Sequence, residues 1–492
     1  MSFVTGAAMR SLEEAAFRRG ITAEHLMDLA GAGIARRLLG QFPLPGTAVA
    51  YVGKGNNGGD ALVALRQLRD HGWQIAVRAG WPETEWGVLP RRKLRELGLA
   101  PVQATDMSAP WSGPLVLLDG LLGIGAKGGS LREPLAGLAR EMADWRESRG
   151  AVVAAMDLPS GLDADTGEGE AVTADLTLTV GAPKRGMATE NGVRKSGRVI
   201  LVPLEDLPLP QDPDLALFCP EAFPGLLPPR AHDFHKGDSG RVGILAGSPG
   251  MTGAAVLCAS AALHAGAGLV SLHVEESFLP HLAAAMPPEV MIRASANPVQ
   301  DAFQAGHDAL VIGPGIGNAG RSYQSSLLSR LEGSKIPAIL DADALNLLSI
   351  SGRLELLRGE HVITPHPGEF KRLAADLAGM ERVEAVKAFT ERHACTLLLK
   401  GARTLVGKAG EAVRFNPTGH AGMASGGQGD VLSGVIGALL GQGVAGVDAA
   451  ALGAWLCGRA AERCLADGPI CLASDTMRHL GEAMRDWAER KR

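Results

Sequence analysis

No run of about 18 consecutive apolar residues occurs anywhere in the chain, so the sequence offers no ordinary membrane-spanning helix. The opening MSFVTGAAMRSLEEAAFRRG mixes acids and bases early and lacks the apolar core of an export signal. Cysteine is scarce and unpatterned. Cys219, Cys258, Cys395, Cys457, Cys464 and Cys471 form no CxxC pair, which argues against thiolate-bound metal and predicts buried thiols in a reducing compartment. Charge of one sign is lacking as well: the net value is −5 with Lys and Arg scattered, leaving no electrostatic footprint for nucleic acid or an anionic membrane. The expectation is a cytoplasmic protein with small-molecule partners.

What the chain has in quantity is length and glycine. At 492 residues it exceeds what one hydrophobic core usually serves, so two domains are the simplest count. Its 46% hydrophobic and 21% charged residues let each half bury a core of its own. The 65 glycines are nearly twice the usual share and imply many tight turns and close backbone approaches, as in nucleotide-binding α/β proteins. From 47 to 202, short apolar runs (TAVAYVG, QIAVRAG, PLVLLDG, AVVAAMD, LTLTVG, RVILVPL) alternate with helical patterns, which predicts a parallel sheet covered on both faces. Residues 205–230 then hold seven prolines and little periodicity. The alternation restarts with GRVGILAGS, LVSLHV, DALVIGPGIG, PAILDADALN, HVITPHPGEF and TLLLKGARTLV. The reading is an α/β protein of two unrelated doubly wound domains, 1–210 and 231–492, joined by a linker at 211–230.

In the second half, HAGMASGGQGDVLSG places glycines and Asp430 before an apolar helical series. A helix N-terminus at strand ends offers unpaired N–H groups to a phosphate, and an aspartate there can take a proton from an attacking hydroxyl. The alternative is that Asp430 simply caps the helix. Together with HKGDSGRVGILAGSPGMTGAAVLCASAALHAGAGLV (235–270), GPGIG (313–317), LDADALN (340–346), TPHPGEF (364–370) and KGART (400–404), the segment resembles the NAD(P)H-hydrate dehydratase family, a branch of the ribokinase-like fold. The resemblance implies that a nucleotide's phosphoryl group activates the C6 hydroxyl of hydrated NADH or NADPH, with ADP or ATP as donor and Mg²⁺ held largely by phosphates and water. It implies Asp430 as the base and Gly427, Gln428 and Gly429 as the anion hole and nucleotide contact. Lys400, Gly401, Ala402, Arg403 and Thr404 match the nucleotide-contacting run. Ala254, Gly317, His366 and Asp430 match positions that hold the hydrate; on its own, His366 between prolines reads as a turn residue. His420 and Ser425 depart from the family pattern, which more often has Asn and Thr there.

In the first half, GKGNNGGD (53–60) lacks both the Lys-Ser/Thr ending of a Walker loop and the GxGxxG spacing. Beside it stand LDGLLGIGAKGG (118–129) and MDLPSGLDADTG (156–167), each following an apparent buried strand, so three strand ends are expected to meet. With GITAEHLMDLAGAG (20–33), where Asp28 replaces the more common Glu, these blocks resemble the NAD(P)H-hydrate epimerase family, of Rossmann-like fold. That resemblance implies Lys127 and Asp157 as the catalytic pair, their acid and base roles open, and a potassium site at Asn57, Asp119 and Ser160, hard oxygen ligands suited to that ion. Asn56, Asn57, Gly58, Gly59, Asp60, Gly123, Ile124, Gly125, Ala126, Lys127, Gly128, Gly129 and Asp157 are implied to line the hydrate. The expected whole is a bifunctional repair enzyme and a homo-oligomer. Set against it are a ribokinase-like small-molecule kinase fused to a nucleotide-binding module, and a non-catalytic first half.

Overall fold

The computed structural model describes residues 1–102, 112–207, 213–227, 230–233, 235–317, 320–466 and 468–489. The chain forms two compact units, Met1–Pro213 and Asp214–Arg492. The first is built on β1 (Thr47–Val52), β2 (Gln74–Ala79), β3 (Leu115–Gly120), β4 (Val152–Met156), β5 (Leu176–Val180) and β6 (Arg198–Val202). Every pairing is parallel, in the order β2-β1-β3-β4-β5-β6. Because strand side chains alternate between faces, Ala48, Ala50, Val52, Val116 and Leu118 join one hydrophobic core while Val49, Tyr51, Leu115 and Leu117 join another. Two helix layers therefore need continuous apolar strands, which is what the sequence supplies. The chain moves to one side of β1 for β2 and to the other for β3, so the β1/β3 carboxyl ends form the crevice where ligands bind in such sheets. Gly53 makes that junction possible: a Cβ there would lie 1.9 Å from the Leu121 carbonyl oxygen.

The second unit holds β7 (Leu215–Leu217), β8 (Arg241–Leu245), β9 (Leu269–Glu275), β10 (Val290–Ser295), β11 (Ala309–Ile312), β12 (Ala338–Leu340), β13 (His361–Ile363), β14 (Thr396–Leu399), β15 (Leu405–Gly407) and β16 (Val413–Phe415). Their order is β10-β9-β8-β11-β12-β13-β14-β15-β16-β7. The first seven are parallel; β15 runs antiparallel to both β14 and β16, so the wound sheet carries a meander at one edge. The helix Gln428–Gly441 is buried from Val431 onward and crosses the helix Thr252–His264 closely enough that a Cβ on Gly434 would stand 2.1 Å from the Cys258 carbonyl. The small-residue run AAVLCASAA serves that contact.

The segment expected as a linker at 211–230 is not a plain tether. Leu215–Leu217 pairs in parallel with β16, and Phe218 is wholly buried, stacked at 5.2 Å on Trp487. All six cysteines are buried free thiols, and among the described residues no helix is long and apolar enough to cross a membrane.

Candidate active sites

In the second unit the helix Gln428–Gly441 begins on Gly427, whose φ of 90° suits glycine. A Cβ on Gly429 would lie 3.3 Å from Lys400 Nζ and 3.8 Å from Asp341 Oδ2, so a bare backbone turn, an ammonium and a carboxylate share one space. Lys400 Nζ donates to Asp341 Oδ1 at 2.6 Å, and Ser433 Oγ donates to Asp341 Oδ2 at 2.7 Å. Asp430 lies in the first helical turn but does not cap it: no side-chain cap bond is made, and among the described residues its carboxylate has no hydrogen-bond partner. Burial pushes that carboxyl up to about 6; the charge of Asp341 adds to the rise, Lys400 opposes it and Asp343 raises it further. An unbonded carboxyl titrating near the working pH has the character of a general base.

The loops after β8 and β11 close the site on the other side. Ser248 Oγ donates to the Gly315 carbonyl at 2.9 Å, and a Cβ on Gly315 would stand 2.8 Å from Ala254 Cβ, so Ala254 and the loop carrying Gly317 are neighbours. Gly317 N donates to Asp343 Oδ2 at 2.7 Å. Between Asp341 and Asp343, Ala342 is held at φ 47°, a conformation costing on the order of 1–3 kcal/mol that places both carboxylates at one strand end. His366 caps the helix Pro367–Leu373: its Nδ1 accepts from Gly368 N at 3.0 Å, and its Nε2 lies 3.5 Å from Glu369 Oε1.

The turn 400–404 joins β14 to β15. Arg403 Nη1 donates to the Thr418 and Gly419 carbonyls at 3.2 and 3.1 Å, while Thr404 Oγ1 donates to Gly401 O at 3.4 Å. Gln428 is tied by its side chain, Nε2 donating to Cys471 O at 3.0 Å and Oε1 accepting from Thr476 Oγ1 at 3.0 Å. His420 caps the following turn through Nδ1 at 3.0 Å and reaches the Ala461 carbonyl at 2.8 Å, a structural role for the departure from Asn. Ser425 spends its hydroxyl on Cys471 O at 3.2 Å.

In the first unit the helix Asn56–Asp70 starts on Gly55 without a side-chain cap. Asn57 Nδ2 donates to Leu122 O at 2.8 Å. Ser160 donates to Asp119 twice, from Oγ at 2.5 Å and N at 2.8 Å, and its Oγ accepts from Leu122 N at 2.8 Å. Residues from the ends of β1, β3 and β4 thus meet around Leu122. Asp119 is fully buried; burial pushes its carboxyl up to about 6, against the two Ser160 bonds and one from Leu121 N. The amide oxygen of Asn57, the Asp119 carboxylate, the Ser160 hydroxyl and the Leu122 carbonyl form a set of hard oxygens that fits an alkali cation.

Asp157 follows β4 at φ 67°, its Oδ1 accepting from Val180 N at 2.9 Å and from Lys184 Nζ. Lys184, which the sequence reading passed over, is wholly buried and also donates to Val180 O at 3.1 Å. Lys127 is exposed on the Gly123–Gly129 loop, whose end accepts from Glu170 N at Gly129 O, 2.9 Å; among the described residues it makes no bond to Asp157. Asp60 faces the same cluster: burial pushes its carboxyl well up, with Asp157 and Glu13 adding and Lys184 opposing. Asp341, Asp343, Ser433 and Lys184 are the polar residues of these sites that the motifs had not given roles. For Lys184 a signal existed, a lysine closing the apolar run LTLTVGAPK.

Known proteins share this two-part plan. The family model for NAD(P)H-hydrate dehydratase matches residues 242–482, and that for the YjeF-related protein N-terminus matches residues 23–186. The bifunctional NAD(P)H-hydrate repair enzyme Nnr of Coxiella burnetii is 34% identical over 96% of this chain and 97% of its own, and that of Escherichia coli is 35% identical over 92% and 87%. A solved ADP/ATP-dependent NAD(P)H-hydrate dehydratase of Bacillus subtilis, co-crystallised with ATP and Mg²⁺, is 26% identical over 56% of this chain and 99% of its own, with a TM-score of 0.46. With both halves matched and the relatives aligned along nearly the full length, the chain belongs to the bifunctional NAD(P)H-hydrate repair enzyme family.

Proposed function

We propose that the first unit interconverts the R and S forms of NADH or NADPH hydrate and that the second dehydrates the S form at the expense of ADP or ATP. In the first, a proton goes to the departing C6 oxygen, the ring nitrogen supplies the electron pair, and water leaves a flat cation. Water returns to the opposite face and gives up one proton. Asp157 is assigned the base and Lys127 the proton donor to the leaving oxygen, while the Asn57, Asp119 and Ser160 oxygens would hold potassium, which contributes fixed positive charge for a phosphate-bearing substrate. In the second, Asp430 takes the proton of the C6 hydroxyl as its oxygen attacks the terminal phosphorus; ADP yields AMP. Phosphate then leaves from C6 as C5 loses a proton, restoring the ring double bond. Lys400 and the N–H groups at Gly427–Gly429 would receive the transferred charge. Mg²⁺ would ride on the nucleotide phosphates.

The observation that carries this reading is the unbonded Asp430 carboxyl, held near 6 beside Lys400 and the glycine helix start. The experiment supplies purified protein with mixed R and S hydrates of NADH, Mg²⁺ and ADP or ATP, and follows the reduced nicotinamide absorbance. Return of absorbance from both epimers is expected. A phosphorylated product that accumulates without recovery of the ring would instead mark a small-molecule kinase.

A further inference from the structure

We propose that Lys184 is a positioning residue of the epimerase site: its buried ammonium fixes the Asp157 carboxylate in place and supplies the countercharge for the carboxylates around it. The proposal rests on the reading of Asp157 as the base. Asp157 sits in the left-handed backbone region, where a residue with a Cβ stays only when its surroundings hold it. Three bonds do so: its N–H to Leu178 O at 2.9 Å, Val180 N to its Oδ1 at 2.9 Å, and the Lys184 ammonium. A fully buried ammonium is costly without such partners, so the pair is mutually enforced. The lysine's own backbone is pinned to the N-terminal segment, with Val4 N donating to Pro183 O at 2.8 Å and Arg185 N to Val4 O at 3.0 Å.

Two more carboxyls face this pair, Glu13 from the helix Gly6–Arg18 and Asp60 from the helix Asn56–Asp70. Burial raises both, Asp157 raises both further, and Lys184 opposes the rise in each; Arg10 also lowers Glu13. Three carboxyls therefore draw on one wholly buried cation. Lys127 is exposed on its loop and leaves that role to Lys184.

Removing the ammonium takes away one of the three bonds that hold Asp157 and the charge that opposes proton uptake at Glu13 and Asp60, so the cluster keeps its protons to higher pH. In full-length Lys184→Met, the acid limb of kcat/KM for epimerisation is expected to move upward, with a loss of roughly tenfold below the wild-type limb and recovery at higher pH. Circular dichroism and a thermal melt establish that the first unit is folded, and dehydration of the S hydrate serves as an internal control. A loss that is equal at every pH, with the limb unmoved, overturns the proposal. Should Lys184→Met unfold the first unit, Lys184→Arg decides: it keeps the charge at a different reach, so the plateau drops with the limb in place, and a limb that moves is the refuting result. Asp157→Asn separates the two ideas, because epimerisation surviving in that variant removes the base reading itself, whatever Lys184 does.

Discussion

Replacing Asp430 by Asn ought to remove activity and add stability at the same time. The amide keeps the volume, and the native carboxylate accepts no hydrogen bond that the change would break. Loss of a general base costs roughly 10²–10⁴ in rate, so dehydration collapses while epimerisation in the other unit continues at the wild-type rate. The stability gain comes from the same burial that makes the base. Asp430 titrates at about 6 instead of 3.8 because burial and the charge of Asp341 disfavour its ionised form. A carboxyl whose folded value is raised contributes stability that is present below pH 4 and disappears as pH climbs through about 6. At 1.36 kcal/mol per pH unit the gap corresponds to about 3 kcal/mol as an upper bound, and solvent screening at this partly exposed group brings it to roughly 1–3 kcal/mol. Asn pays none of it. Urea denaturation of the full chain, following the transition of the second unit, should find Asp430→Asn more stable than wild type at pH 8, with roughly half of that gain at pH 5 and little of it below pH 4. A variant less stable at pH 8 refutes the electrostatic argument; dehydration retained within a few-fold refutes the base.

Asp157→Ala should stop R/S equilibration yet still dehydrate the S hydrate with ADP; chromatography of the two epimers shows whether both activities fail together in a folded protein, which would sink the idea of independent sites. Lys400→Ala removes a cation that also partners Asp341, and is expected to weaken ADP binding about tenfold in calorimetric titration without unfolding the protein; unchanged affinity would show that the 400–404 turn is not the nucleotide contact. A fragment 214–492 should melt cooperatively. A fragment beginning at 231 loses β7 and the Phe218–Trp487 stack, so it should lose on the order of 3–5 kcal/mol; equal melts would mean that edge is ornamental.

The strands legible in the sequence were those buried on both faces. TAVAYVG, PLVLLDG, AVVAAMD and LTLTVG each contain a strand of the first sheet, because a parallel strand between two helix layers is buried on both faces and stays mostly apolar along its length. The strands passed over are those the sheet edge makes atypical: β10, whose residues beyond Val290 are half-buried or exposed, and the three-residue β7 and β16, too short to show a period. The proline-rich composition around β7 pointed to a tether for the same reason, since Pro and Asp flank it and only Leu215, Leu217 and Phe218 turn inward. At the candidate sites, the motifs singled out Asp430, Asp119 and Asp157 because each lies in or follows a glycine turn or an apolar run. The lysine that closes LTLTVGAPK is visible in the sequence, but its partner 27 residues back along the chain is not, because no local pattern encodes that contact.

The pairing of β7 with β16 joins segments about 200 residues apart, a long wait in a chain made from one end. When Leu215 and Phe218 leave the ribosome, the whole first sheet has already been synthesised and can close, but the strand and the tryptophan that will cover them do not yet exist. The flanking prolines have a use at that moment. They keep a short apolar strand from extending into a longer sticky edge while it is unpartnered. The segment that opens the second unit is thus held in reserve as its last edge, in a sheet completed only when Phe415 has emerged and a core that closes only with Trp487.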